Sequence, residues 1–272
     1  MTPAIIMVAP NGARKTRRDH DSLPVSIADT VSEALLCFQA GASVLHGHVR
    51  GDSEEHVLDV GRYRELLAEM TLRVPQMLVQ ITTEAVGRYS PEEQVACVQA
   101  LIPKMASVSL REITSDYQRN DYAADFFSWC LEAGVHIQHI LYSSDDLQRF
   151  VELKDQGIIP ASHRCMLFVL GRYREDFQSE PDDLAPFLAA ELSGLDWFTC
   201  AFGSREQECV MTGINAGGHA RVGFENNLYL PGGEVAANSA ELVSSLARAL
   251  QAAGRDLATA EEASQLLGIR SA

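Results

Sequence analysis

Eight times along the chain a short apolar or β-branched run is followed by a longer amphipathic stretch, and this alternation constrains the fold more than any other feature. Short apolar runs bounded by turn residues read as strands, and apolar positions three and four apart read as one face of a helix. The strand candidates are 4–9, 43–48, 77–82, 106–110, 135–141, 164–170, 196–201 and 218–224. The helix candidates are 27–40, 58–70, 90–101, 117–133, 143–155, 181–193, 204–215 and 237–253, with a short final helix over 258–267.

Local signals agree with these bounds. Ser26 precedes Ile27-Ala28-Asp29, and Ser90-Pro91-Glu92-Glu93 supplies an N-cap, a proline at the first helical position and acids in the first turn. Gly41, Gly134 and Gly254 stand where helices should end. Thr259, three residues before Glu262, has capping-box spacing.

Strands separated by helices pair in parallel, so the pattern is that of an α/β protein with a parallel sheet. Eight units in 272 residues, with no linker or low-complexity segment between them, predict a single domain over 1–272. Its expected form is a closed (β/α)₈ TIM barrel with a short extra C-terminal helix. The alternative is an open doubly wound sheet. The GxGxxG fingerprint of that fold is missing, and Ala9-Pro10-Asn11-Gly12-Ala13 follows the first strand instead.

Charge narrows the partners. A net charge of −15 argues against nucleic acid and anionic membranes, which demand basic surfaces. No stretch reaches the roughly 20 apolar residues of a membrane span. The first residues lack the basic region of a signal peptide, so a cytoplasmic protein is expected. Six cysteines without a CxxC pair read as core thiols, Cys200 among them.

Barrel active sites form at the C-terminal ends of the strands. There, in Ser43-Val44-Leu45-His46-Gly47-His48-Val49-Arg50, two imidazoles and a guanidinium alternate and so share one face of a strand. Alone, an HxH strand is more often a pair of satisfied buried histidines than a metal site. Glu225, at the end of the apolar eighth strand, changes that balance, because a carboxylate there is costly unless it meets a cation. Pairing with Arg221 is the simpler alternative. Two histidines, one carboxylate and an open position suit catalytic zinc, and also non-haem iron. His139 and His219 read as structural. Arg14, Lys15, Arg17 and Arg18 form either a solvated loop or an anion clamp, and Gly203-Ser204-Arg205 at a helix start is a candidate phosphate seat.

Nearly the whole chain resembles the β-keto acid cleavage enzymes. The carriers are Ala9-Pro10-Asn11-Gly12-Ala13-Arg14, Asp19-His20 with Leu23-Pro24, and Ala40-Gly41-Ala42-Ser43 running into His46-Gly47-His48-Val49-Arg50. Further along are Gly217-Gly218-His219-Ala220-Arg221-Val222-Gly223-Phe224-Glu225-Asn226-Asn227 and Leu257-Ala258-Thr259-Ala260-Glu261-Glu262-Ala263. The resemblance implies a barrel, usually a homo-oligomer (dimer or tetramer), that binds zinc or another divalent ion. Such an enzyme condenses a β-keto acid with acetyl-CoA to give acetoacetate and a new acyl-CoA. It assigns the metal to His46, His48 and Glu225, an assisting catalytic role to Arg221, and substrate seating to Thr82. Thr83, Ser109 and Gln138, at neighbouring strand ends, are grouped with Thr82 as substrate contacts, and Ser204 and Arg205 as contacts to the coenzyme.

Two positions depart from the family member that acts on an amino-bearing substrate. Asn226 stands where that member has its basic aspartate, and an amide accepts no proton at neutral pH. Glu84, Glu112 and His139 are the replacements nearest by strand position. Arg14 stands where that member presents a glutamate to the ammonium group, which favours an anionic or neutral polar substrate. A metal-binding barrel without turnover and another metal-dependent aldolase or hydrolase are the competing expectations.

Overall fold

The computed structural model describes residues 2–114 and 120–269. Its strands are β1 (Ile6–Val8), β2 (Val44–Gly47), β3 (Leu78–Thr82), β4 (Met105–Ser109), β5 (His136–Leu141), β6 (Cys165–Leu170), β7 (Asp196–Ala201) and β8 (His219–Val222). Each pairs in parallel with the next, and β8 returns to β1 with Arg221 opposite Met7, so the sheet closes into an eight-stranded barrel.

Strand alternation sorts the apolar residues into two layers. Leu45, Ile81, Val108, Ile137 and Phe168 pack outward against the helices. Met7, Val44, Met105, Leu167 and Phe198 fill the barrel.

The surrounding helices are α1 (Ile27–Gln39), α2 (Val60–Arg73), α3 (Pro91–Leu101), α4 (Leu110–Ile113), α5 (Asn120–Ala133), α6 (Ser144–Asp155), α7 (Ala185–Leu188), α8 (Glu206–Asn215) and α9 (Ser239–Ala252). A last helix, α10 (Ala260–Leu267), lays Ala263 and Leu267 against the interior cluster and closes the end of the barrel opposite the site. Ser26, Ser90 and Thr259 each form a capping box, as the spacing predicts for Thr259. A cap of this kind contributes about 1 kcal/mol.

One helix expectation needs correction. The segment 181–193 is not one helix but a 3-10 turn, Pro181–Leu184, followed by the single turn of α7. Pro186 has no N–H to donate and breaks the ladder that a continuous helix needs. The short α4 directly after β4 was not foreseen from the pattern. The start of the predicted 117–133 helix lies outside the described residues. Among the described residues, no helix is long and apolar enough to cross a membrane.

Candidate metal centre

His46 points into the barrel from β2, and His48, just past the strand end, keeps the same direction; both are buried. Their Nε2 atoms lie 3.1 Å apart. Glu225 Oε2 sits 3.6 Å from the first and 3.5 Å from the second.

Proton positions follow from the partners behind each ring. Gln80 Nε2 donates to Gln138 Oε1 at 3.2 Å, which leaves Gln80 Oε1 to accept from His46 Nδ1 at 2.7 Å. His56 Nε2 donates to the Glu84 carbonyl at 2.9 Å, so His56 Nδ1 is an acceptor and takes the proton of His48 Nδ1 at 3.4 Å. In a neutral imidazole only one nitrogen carries hydrogen. Both Nε2 atoms therefore present lone pairs to a carboxylate oxygen that itself has no donor.

Burial holds His46 at a pKa of about 4 and His48 at about 3, so neither ring is protonated at neutral pH. Burial pushes the Glu225 carboxyl up, but the Arg221 guanidinium beside it leads the opposing pull that holds it well below the ordinary carboxylate range. Three facing acceptors with no proton among them repel one another unless a cation lies between them. The donor set fits a divalent ion, and the three ligand atoms all lie within 4.8 Å of one another.

The backbone places Glu225 by close approach. Gly223 has φ +135°, and a Cβ there would stand 2.5 Å from the Ala9 carbonyl oxygen. Gly12 has φ +60°, and a Cβ there would meet Glu225 Cγ at 2.4 Å. Lys15 Nζ donates to the Glu225 carbonyl at 2.7 Å. Arg50, beyond the end of β2, does not share the face of His46 and His48. Its guanidinium instead donates to the carbonyls of Asn11, Gly12 and Lys15 and clamps the loop after β1.

Arg221, also buried, donates to Glu225 Oε1 at 3.1 Å and to Cys200 Sγ at 3.4 Å. The pairing expected as the simpler fate of Glu225 thus uses one carboxylate oxygen and leaves the other for the histidines. Burial pushes the Cys200 thiol up to about 11, which suits a packed residue.

Two cavities open beside the centre. An inner one of about 30 Å³ is bordered by His46, His48, Glu225, Thr82, Ser109 and Tyr142, with Arg221 alongside. An outer one of about 320 Å³ carries Arg14, Lys15, Arg172, Phe177 and Asn226. Glu84, Arg172, Phe202 and Glu225 border both.

Of the expected substrate contacts, Thr82, Ser109 and Arg14 thus reach a cavity. Thr83 and Gln138 do not: Thr83 Oγ1 donates to the Ser107 carbonyl, and Gln138 supports Gln80 beneath His46. Ser204 and Arg205 flank the start of α8, but Ser204 bonds to Gln178 and Arg205 pairs with Glu180 and Glu208. Asn226 Nδ2 donates to Glu206 Oε1 at 3.3 Å and its Oδ1 is unpartnered. His139 faces outward between Phe127 and Phe150, and Glu112 accepts from the Ala85 amide.

Gln80, His56 and Glu206 were missed in the sequence. Gln80 could have been found, since it pairs in register with His46 and shares the inward parity of Thr82. His56 lies in a loop, where no period reports direction.

The sequence profile of the beta-keto acid cleavage enzyme family matches residues 3–269. A 3-keto-5-aminohexanoate cleavage enzyme of Fusobacterium nucleatum is 26% identical over 275 residues, covering 99% of both chains. The 3-oxoadipate:acetyl-CoA acetyltransferase of Cupriavidus necator is 27% identical, covering 99% of this chain and 96% of its own. Among solved structures, the binary complex of ObcA with oxaloacetate superposes with a TM-score of 0.74 at 16% identity, over 92% of this chain and 68% of that one, and has the same fold. With a profile match over nearly its full length, this chain belongs to the beta-keto acid cleavage enzyme family.

Proposed function

We propose that this chain condenses a β-keto acid with acetyl-CoA and releases acetoacetate and a new acyl-CoA, using zinc or another divalent ion held by His46, His48 and Glu225. The observation that carries this reading is the convergence of three proton-free acceptors at the C-terminal mouth of the barrel, beside a cation-lined cavity. The ion, when bound, supplies Lewis acidity toward the keto oxygen.

The chain's own groups do the rest. Arg221, fixed by Glu225 and Cys200, presents a permanent positive charge to the inner cavity where negative charge develops. The hydroxyls of Thr82 and Ser109 seat the substrate carboxylate there. Arg172 lies over Tyr173, Phe177 and Phe202 at 5.6 to 5.7 Å and, among the described residues, has no hydrogen-bond acceptor. With Arg14 and Lys15 it makes the outer cavity cationic, which selects a dicarboxylic or hydroxylated β-keto acid over an ammonium-bearing one. The relative named for 3-oxoadipate, a dicarboxylate, agrees with that class. Ser204 and Arg205 are assigned to the coenzyme's phosphates, a role in which Arg205 exchanges an acidic partner for the anion. The family resemblance also leads us to expect a dimer or tetramer, which sedimentation velocity checks.

Asn226 favours one competing reading, a metal-binding barrel without turnover. A panel of dicarboxylic, hydroxylated and ammonium-bearing β-keto acids, each with acetyl-CoA, separates the two. Acetoacetate should appear fastest with the anionic or hydroxylated members. Preference for the ammonium compound contradicts the substrate class, and metal-loaded protein inert to every member supports the competing reading.

A further inference from the structure

We propose that Glu84 is the general base of this chain, the group that removes the proton from the carbon between the two carbonyls of the β-keto acid. The inference rests on the reaction proposed above. It starts from a deficit: Asn226 accepts no proton at neutral pH, yet that carbon must lose one before it can attack a thioester.

Among the described residues, the inner cavity is bordered by two carboxylates, Glu84 and Glu225. Glu225 is committed to Arg221 and the imidazole pair. Glu84 is held at its backbone, where its N–H donates to Thr82 Oγ1 at 3.0 Å and its carbonyl accepts from His56 at 2.9 Å. Its carboxylate accepts no hydrogen bond from any described residue. Because Glu84 borders both cavities, a substrate with its keto acid in the inner one and its side chain in the outer one passes beside it.

The other candidates are otherwise engaged. Glu112 accepts from the Ala85 amide, Glu206 lies behind Asn226 and Asn227, and neither borders the inner or the outer cavity. His139 faces away from the barrel interior. The half-buried Tyr142 phenol stays protonated, with its pKa raised well above the ordinary value by desolvation. Burial and then Glu225 raise the Glu84 pKa, against the pull of Arg14, Arg172 and Arg221, which moves it toward the neutral range that suits proton transfer.

The proton balance closes within one turnover. The Glu84 carboxylate takes the proton, and the C–H electron pair passes into the keto carbonyl. The carbon attacks the acetyl thioester and expels coenzyme A as thiolate. The thiolate adds to the original keto carbon, the C–C bond breaks, and protonated Glu84 returns its proton to the acetoacetate carbon.

Glu84→Gln and Glu84→Asp, metal-loaded and checked by circular dichroism, test this with turnover and with enzyme-dependent deuterium uptake at that carbon in the absence of acetyl-CoA. Glu84→Gln should lower kcat by about 10²- to 10⁴-fold and abolish the uptake, at the metal content of the unaltered protein. Glu84→Asp should lower kcat by more than it raises KM. Uptake and kcat within about threefold of the unaltered protein in Glu84→Gln overturn the assignment. A raised KM at unchanged kcat in Glu84→Asp also overturns it, and decides the matter if the Gln variant does not fold. An unaltered protein inert to every β-keto acid defeats the proposed reaction itself and is thereby told apart from failure of Glu84.

Discussion

Gln80 and His56 sit behind the imidazoles of His46 and His48, and the acceptors they offer to Nδ1 turn both Nε2 lone pairs toward Glu225. Groups in this position typically contribute 10- to 100-fold to metal affinity. Gln80→Ala and His56→Ala should each weaken zinc binding by about that factor in a competitive chelator titration, and affinity unchanged in both would refute the proton arrangement. Gly12→Ala should be harsher, since its Cβ displaces the Glu225 side chain and an L residue at φ +60° adds about 1 kcal/mol of strain. Loss of bound metal in that variant, read by elemental analysis, is the expected outcome. At this scale the sequence was partly legible. His46 and His48 share a strand parity, and Glu225 ends an apolar run, so both announce themselves. Strand position brings Glu84 to the rim, but that it borders both cavities depends on how loops fold over the barrel, which no period encodes.

Strand β5 shows what alternation delivers and what it leaves open. Gln138 turns inward to support the centre, and His139 turns outward among Phe127, Phe150 and His163 with neither ring nitrogen partnered. Burial lowers His136 and His163 to about 4 and His139 well below its ordinary value. For a base depressed in the folded state, the unfolded chain binds more protons below its ordinary value of 6.5, so folding stability falls as pH drops from 6.5 toward 4. Urea denaturation across that range should show the loss. His139→Leu should shrink it and add about 1 kcal/mol near neutrality, because no unsatisfied ring remains buried. A steeper loss in that variant would contradict this account of the element. Elsewhere, Pro186 in plain sequence already forbade the long helix over 181–193, whereas α4 is too short to leave a periodic trace.

Across the whole molecule, the barrel was readable because all eight units repeat one pattern, and closure follows from β8 pairing with β1. The overall charge of −15 conceals the cationic cavity, since Arg14, Lys15 and Arg172 reach it from two distant loops. Metal binding should couple to folding. An ion at 100 times its dissociation constant adds about 2.7 kcal/mol, so chelation should lower the Tm and zinc should restore it. The central claim is tested most directly by acetoacetate release from acetyl-CoA and an anionic β-keto acid, followed as zinc is titrated back into chelated protein. Release should rise from near zero and level off at one ion per chain. Full release from metal-free protein, or none from protein that holds its ion, would contradict the account.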